Sequence, residues 1–280
     1  MDNYLTFCIR DGIPHVVEMN QYETRGDSCF QIFERLLAMA PELCRFEKGV
    51  IFFGDSPPCH DLDMEYILQF CTTKPIRQSR SFLPFPCPHS LRWPQVGIEN
   101  SEDLLTSLLQ DSRIYSDNRV FWIGANTHPI RARLIDISFT HRKVLEAKMI
   151  KWQPTANGKI VCHPRFVSLQ DHANYKYLID CPGNGYSGRL KWLLATGRPT
   201  FIVERDIVEH WHDAMIPWVH YVPVAGDLSD IFTAYEKLEK QPSLYRHISE
   251  NAKIFARDNI GLPQQLLFAV NHLEHVWKIL

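Results

Sequence analysis

From residue 175 onward, short apolar runs alternate with amphipathic segments, and this alternation leaves few folds open to the chain. Residues 175–181 read as a strand. Residues 187–195 read as a helix with Leu190, Leu193 and Leu194 inward and Gly197 as its stop. Residues 200–203 read as a second strand, 206–214 as a short helix and 218–224 as a third strand. Asp227, with Asp230 three places on, opens the next helix, and two more amphipathic helices cover 242–258 and 262–279. Strands that alternate with helices build a parallel sheet covered on both faces, so the class is α/β.

The first half is less regular. Ser28 is placed to cap a helix that carries Phe30, Phe33, Leu36 and Leu37 on one face. Gly49-Val-Ile-Phe-Phe-Gly54 reads as a buried strand, ended by Asp55-Ser-Pro-Pro58, which cannot continue it. Residues 72–100, rich in Pro, Ser and Arg, read as an ordered loop system. Residues 119–123 form a further strand, and Thr127 caps a helix with Pro129 in its first turn. Turn formers between Trp152 and Pro164 set the expected boundary, giving domains 1–150 and 151–280 with the last helix packing back on the first domain.

Charge narrows the function. Lys and Arg number 30 against 32 Asp and Glu, a formal charge of -2. A nucleic-acid binder needs a basic stripe to neutralise phosphates, so that class is set aside, while a small basic pocket for one diphosphate is not. The first ten residues carry neither a basic leader nor a long apolar run, so for a complete chain a cytoplasmic location is expected. The eight cysteines include no C-x-x-C pair, so reduced thiols are expected and no zinc site.

The most informative stretch is Tyr177-Leu-Ile-Asp-Cys-Pro-Gly183-Asn-Gly185-Tyr-Ser187-Gly188-Arg189-Leu-Lys191. It reads as strand, glycine turn and helix start. Glycines admit a close ligand, and the N–H groups of a helix start favour an anion. Arg189 and Lys191 oppose the helix dipole, a conflict that an anionic ligand offsets. The same glycines spell the dinucleotide fingerprint Gly183-x-Gly185-x-x-Gly188, with Glu204 at the end of the next strand where a ribose-binding acid sits. An NAD-dependent oxidoreductase is therefore the rival reading. Against it stand Pro182 before the first glycine and the two cations at the helix start.

Asp171-His172-x-x-Tyr175-Lys176-Tyr177-Leu178, Gly183, Ser187-x-Arg189-x-Lys191, Pro217-Trp-Val-His220-Tyr-Val-Pro223 and Asp227-Leu228 stand in one order. Over residues 170–230 they resemble glycosyltransferase family 90, the family of Rumi-type protein O-glucosyltransferases, capsule-associated proteins and bacterial lipopolysaccharide transferases. Phe121-Trp-Ile-Gly124-Ala-Asn-Thr127-His-Pro129-Ile-Arg131 and Phe52-Phe-Gly-Asp55-x-Pro57 resemble two upstream segments of that family. The resemblance implies a GT-B-like architecture, two Rossmann-like domains with parallel sheets facing a central cleft. Residues 1–150 would be the acceptor side and 151–280 the nucleotide-sugar side. It implies inverting transfer of a hexose or xylose from a UDP-sugar without a metal. Arg131 and Arg189 would hold the diphosphate, with Thr127, Ser187, Lys191 and the glycines Gly183 and Gly185 assisting, and Asp55 would be the general base. The chain looks most like the short bacterial members, whose acceptors are lipopolysaccharide core sugars, so a glycan acceptor and peripheral contact with the inner membrane are expected. The segment departs from the family at Ile123, Ala125 and Ile130, which leaves a non-catalytic nucleotide-sugar-binding protein as a further alternative.

Other candidates have bland readings beside the chemical ones. Asp61-Leu-Asp63 is a D-x-D tripeptide, the metal signature of a different glycosyltransferase fold or a solvated surface pair. His210, His212 and Asp213 offer no convincing ligand spacing. His220 reads as a hydrogen-bonded histidine within an apolar strand, and Phe85 and Trp93 as either sugar platforms or loop anchors.

Overall fold

The first two strands, β1 (Tyr4–Arg10) and β2 (Ile13–Met19), are antiparallel and joined by Asp11 and Gly12. Their φ angles of 52° and 76° are those of a tight two-residue hairpin turn. The structure, a computed structural model, describes residues 4–19, 23–42, 48–54, 67–69, 71–73, 82–154, 160–163 and 166–277. Asp55, Asp61 and Asp63 lie outside the described residues.

After the hairpin come α1 (Glu23–Met39), β3 (Lys48–Phe52), β4 (Ile67–Gln69), β5 (Cys71–Thr73) and β6 (Phe82–Pro84). The sheet runs β2-β1-β3-β4-β6, with β3, β4 and β6 parallel and β1 antiparallel to β3. It is thus mixed rather than wholly parallel, because the hairpin supplies two antiparallel strands at one edge. From α1, Phe33, Leu36 and Leu37 are buried, and the Phe33 ring lies 4.3 Å from that of Phe7. Ser28 does not cap α1. The helix begins five residues earlier, and the buried Ser28 hydroxyl accepts from Arg92 Nε at 3.3 Å. Phe85 is wholly buried and Trp93 stacks on His89 at 4.0 Å, so both anchor their own loop.

The chain divides into two compact units, Met1–Leu104 with Asp206–His212 and Asp258–Leu280, and Leu105–Arg205 with Asp213–Arg257. It passes from the first to the second inside α2 (Ser101–Gln110). The second unit holds β7 (Asp117–Ala125), α3 (Pro129–Thr140), β8 (Leu145–Pro154), β9 (Ile160–His163), α4 (Leu169–His172), β10 (Tyr175–Asp180), α5 (Leu190–Ala195) and β11 (Thr200–Val203). Next, β12 (Ile207–Glu209) pairs with β5 in the first unit. β13 (Val222–Val224), α6 (Ile231–Lys240) and most of α7 (Pro242–Asn259) return to the second, and α8 (Leu262–Trp277) packs on α1 and β6. A boundary at 150/151 would cut β8, which pairs with β7 over Leu145–Ile150 and with β9 from Lys151 on. β8 and β9 are thus one antiparallel pair of the sheet, and the residues between them lie outside the described ones.

In the second unit the sheet order is β13-β11-β10-β7-β8-β9, parallel throughout except for the β8–β9 hairpin. Numbered along this unit, its parallel strands lie in the order 2-1-3-4-5, a doubly wound arrangement whose connections reverse between β7 and β10. Val120, Trp122, Tyr177, Ile179 and Phe201 form one core with Leu134 of α3 and Ile231 and Leu238 of α6. Residues of opposite parity (Phe121, Ile123, Leu178, Ile202) and all six residues of α5 are buried too, so both faces are covered.

Three expected elements differ. Residues 206–214 form β12 and a 3-10 turn, His210–Ala214, because pairing with β5 takes the first part into a sheet. The strand expected at 218–224 shrinks to β13. Trp218 has a φ of 63° and His220 Nδ1 accepts the Ile216 N–H at 2.9 Å, which makes 216–221 a turn. α6 starts only at Ile231, since Asp227 and Asp230 accept loop N–H groups of Ser229 and Ala225 instead.

Gly197 stops α5 as expected, with a φ of 68°. A Cβ there would lie 2.6 Å from Cε of Lys253, whose ammonium donates to the carbonyls of Leu109 and Asp111 at 3.1 and 2.7 Å. A left-handed L-residue costs roughly 1–2 kcal/mol, and displacing Lys253 adds to it. Urea unfolding of Gly197→Ala is therefore expected to show a loss of about 2 kcal/mol; a midpoint equal to wild type would contradict this.

Candidate functional site

β7 and β10 pair through Tyr177↔Val120 and Leu178↔Phe121, and there the ladder ends. The register would next oppose Asp180 to Ile123, but the strands part. In doubly wound sheets the ligand crevice forms at such a reversal, outside the carboxyl ends of the strands. Two arginines span the gap. Arg189 donates from Nε to Asp180 Oδ1 at 3.2 Å and from Nη1 to the carbonyl of Ile123. Arg131, in the first turn of α3, donates to the carbonyls of Ala125 at 2.9 Å, Cys181 at 3.2 Å and Pro182 at 2.8 Å. Both guanidinium carbons lie over the wholly buried Trp122 ring, at 5.6 and 5.5 Å.

The glycine loop meets the β7–α3 loop at one point. A Cβ on Gly183 would stand 3.1 Å from Arg131 Nη2 and 3.3 Å from Thr127 Oγ1, so this close approach suits glycine. The Gly183 N–H donates to the Gly185 carbonyl at 3.4 Å and closes the loop on itself. The structure thus brings together Thr127, Arg131, Gly183, Gly185, Ser187 and Arg189. Lys191 is wholly buried in α5, with its ammonium 5.9 Å from the Trp192 ring.

Two local roles differ from expectation. Thr127 does not cap α3; His128 does, its Nδ1 accepting the Ile130 N–H at 3.2 Å. Pro129 has no N–H, and that of Arg131 goes to the His128 carbonyl at 3.0 Å, so the first turn of α3 is already satisfied. α5 begins only at Leu190 and has six residues. The positive charge at this point is therefore that of guanidinium groups and not of a free helix start.

Sequence reasoning missed two residues of this cluster. Asp180 ends β10 with no exposed surface and accepts from Ser187 Oγ at 2.8 Å, Arg189 Nε at 3.2 Å and Arg205 Nη1 at 2.6 Å. Arg205, also buried, donates further to the carbonyls of Asp180 at 2.8 Å and Val203 at 3.0 Å. A carboxylate inside the apolar run Leu178-Ile179-Asp180-Cys181 had to be paired, and that signal was available. Burial works to raise the Asp180 carboxyl, and Arg205, then Arg189, outweigh it and hold it below its ordinary value. Arg131 is lowered to about 10, first by burial and next by the charge of Arg189. Three guanidiniums against one carboxylate leave two positive charges unmatched in this hydrogen-bonded group. Nη2 of Arg189 is buried and has no hydrogen-bond partner among the described residues.

His172 lies behind the cluster, 4% exposed. Its Nδ1 is 2.7 Å from the Ser168 carbonyl, which can only accept, so Nδ1 carries a proton. Burial, then the charge of Arg189, lowers it to about 4. The unfolded chain takes up this proton near pH 6.5 and the folded one only near 4, so stability falls as pH drops through that window, by about 3 kcal/mol. In unfolding measurements at pH 7 and pH 4.5, His172→Phe is expected to lose less stability than wild type; an equal loss would contradict the assignment.

Comparison with known proteins adds the family. The model of glycosyl transferase family 90 matches residues 49–265. The chain belongs to glycosyl transferase family 90. Among curated family relatives, it is 29% identical over 182 residues to protein O-glucosyltransferase 1 of Rattus norvegicus, covering 64% of this chain and 46% of that one. It is 34% identical over 163 residues to O-glucosyltransferase rumi of Drosophila melanogaster, covering 56% and 35%. The chain thus spans about half or less of the length of these relatives. Among solved structures it is similar to Anabaena Alr3699/HepE in complex with UDP-glucose, at 9% identity and a TM-score of 0.37 over 66% of this chain and 47% of that one, a likeness too loose to bear on the site.

Within the family 90 frame, the departing positions acquire local reasons. Ile123 and Ala125 offer their backbone carbonyls to Arg189 and Arg131, a contact that does not depend on their side chains. Ile130 is buried in the core under α3. The dinucleotide alternative fits poorly, since its fingerprint follows the first strand of a unit and opens a helix directly. Here the glycines follow β10, third in the order, and the helix opens only at Leu190. Among the described residues, no group of His, Cys, Asp and Glu could hold a metal ion, and no helix is long and apolar enough to cross a membrane.

Proposed function

We propose that the chain is an inverting, GT-B-like glycosyltransferase that moves a hexose or xylose from a UDP-sugar to a glycan hydroxyl. The observation that carries this reading is the unmatched positive charge of Arg131, Arg189 and Arg205 around Asp180, at the reversal point of a doubly wound sheet. A diphosphate supplies the missing charge and acceptors for the remaining guanidinium N–H groups. In this account Arg131 and Arg189 bind the diphosphate, Thr127 adds a hydroxyl, and Gly183 and Gly185 let the loop come close. Ser187, bonded to Asp180, shapes the loop, Lys191 adds charge from within α5, and Asp55 takes the acceptor proton. The leaving diphosphate is stabilised by fixed cations, the arrangement that lowers a barrier most when it needs no reorganisation.

The acceptor is proposed to be a lipopolysaccharide core sugar, met in the cytoplasm at the face of the inner membrane. The names of the relatives make glucose the first sugar to try and a protein the competing acceptor. Calorimetric titration with UDP, UDP-glucose, UDP-galactose and NAD tests the donor class: UDP and a UDP-sugar are expected to bind and NAD not. NAD binding without UDP binding would end this reading. UDP binding with no transfer to any truncated core or protein acceptor would leave a nucleotide-sugar-binding protein. Transfer is further expected to persist in EDTA, because cations of the protein face the phosphates. Loss on chelation, restored by manganese, would move attention to Asp61 and Asp63.

A further inference from the structure

We propose that Asp180 is a positioning residue, a buried carboxylate that fixes the Arg189 guanidinium in the pose that receives the donor diphosphate. The inference rests on the donor reading above. Four observations carry it. Asp180 has no exposed surface, so it does not serve as a solvated charge. Its Oδ1 accepts from Arg189 Nε at 3.2 Å and from Ser187 at 2.8 Å, while Oδ2 accepts from Arg205 at 2.6 Å. The second donor of Arg189 goes to Ile123, the residue that would oppose Asp180 had the ladder continued. Arg189 is thereby held at both ends of the gap between β7 and β10, and Nη2 is left without a partner among the described residues.

A carboxylate beside an anion site calls for an explanation. By charge alone it repels the diphosphate, and its removal would tighten binding. As a positioning group it does the reverse: without it, Arg189 and Arg205 lose their common acceptor, and Arg189 swings among rotamers that must be ordered again when the ligand binds. The two accounts predict opposite signs for one measurement.

That measurement is a double-mutant cycle on UDP affinity with Asp180→Asn, Arg189→Ala and the double variant, with uridine as the phosphate-free control. Asn keeps the size and one acceptor but removes the charge and the second acceptor. Asp180→Asn is expected to weaken UDP binding about ten-fold, to leave uridine binding within about two-fold, and to have no further effect in the Arg189→Ala background. Tighter UDP binding by Asp180→Asn would overturn the proposal in favour of simple repulsion. Equal losses for UDP and uridine would overturn it in favour of a structural role. Additive losses in the double variant would show that Asp180 does not act through Arg189. Absence of UDP binding by the wild-type chain is a different failure, that of the donor reading. Should Asp180→Asn not fold, side-chain NMR of the wild type decides: the Arg189 Nε–H is expected to exchange slowly with water, and exchange as fast as that of a surface arginine would refute the contact.

Discussion

Asp55→Asn is expected to lower sugar transfer by roughly 10²–10⁴-fold, the range that a general base supplies, while UDP-sugar affinity stays within about two-fold of wild type. A base acts on the acceptor proton in the transition state and touches the donor little, so rate and donor binding separate. Asn keeps the size of Asp and most of its hydrogen bonding and removes the proton acceptor. Asp55 follows Gly54, just past the carboxyl end of β3, a strand with neighbours on both sides in its sheet. Ends of that kind carry active-site groups in α/β folds. The product is expected to have inverted configuration, β-linked from an α-linked donor, because single displacement places one base opposite the leaving group. A retained anomer would exclude this role. Near-normal transfer by Asp55→Asn would return Asp55 to a turn former and make Asp61 and Asp63 the next carboxylates to test.

Arg189→Ala is expected to weaken UDP binding by roughly 10- to 150-fold, since a charge-assisted hydrogen bond to phosphate contributes about 1.5–3 kcal/mol. The loss has two sources: the missing donor and the freed gap between β7 and β10 that Arg189 spans. Uridine binding is expected to change far less. Arg189→Lys keeps the charge but loses the planar fork that reaches Asp180 and Ile123 together, so it is expected to recover only part of the affinity. Unchanged UDP affinity in a folded Arg189→Ala variant would mean that the diphosphate binds elsewhere.

Much of the second unit was legible in the sequence, because its strands are buried on both faces and read as continuous apolar runs. β10, α5, β11 and the helices from α6 on stand within a few residues of their expected places. The convergence of Thr127, Arg131, Gly183, Ser187 and Arg189 was legible as well, since the quoted motifs fall on two loops at the carboxyl ends of the neighbouring strands β7 and β10. The failures share a cause, a local pattern overruled by a partner far along the chain. The start of 206–214 became β12 because β5 lay ready to pair with it. The boundary expected after Trp152 fails because β9 pairs back on β8 within the same sheet. A single acid in the apolar run of β10 signals that Asp180 must be paired, but the identity of its partner Arg205, 25 residues on, is set by the fold. The Asp11–Gly12 turn was a local signal, an Asp-Gly pair between β-forming runs, and could have been read directly.

The central claim is that the arginine cluster around Asp180 holds a diphosphate, and the affinity of the wild-type chain for UDP relative to uridine, by calorimetry at fixed salt, tests it most directly. The two ligands share base and ribose and differ only in the group assigned to Arg131 and Arg189. With two charge-assisted contacts at stake, UDP is expected to bind at least roughly 100-fold more tightly than uridine. Equal affinities for UDP and uridine would contradict the account.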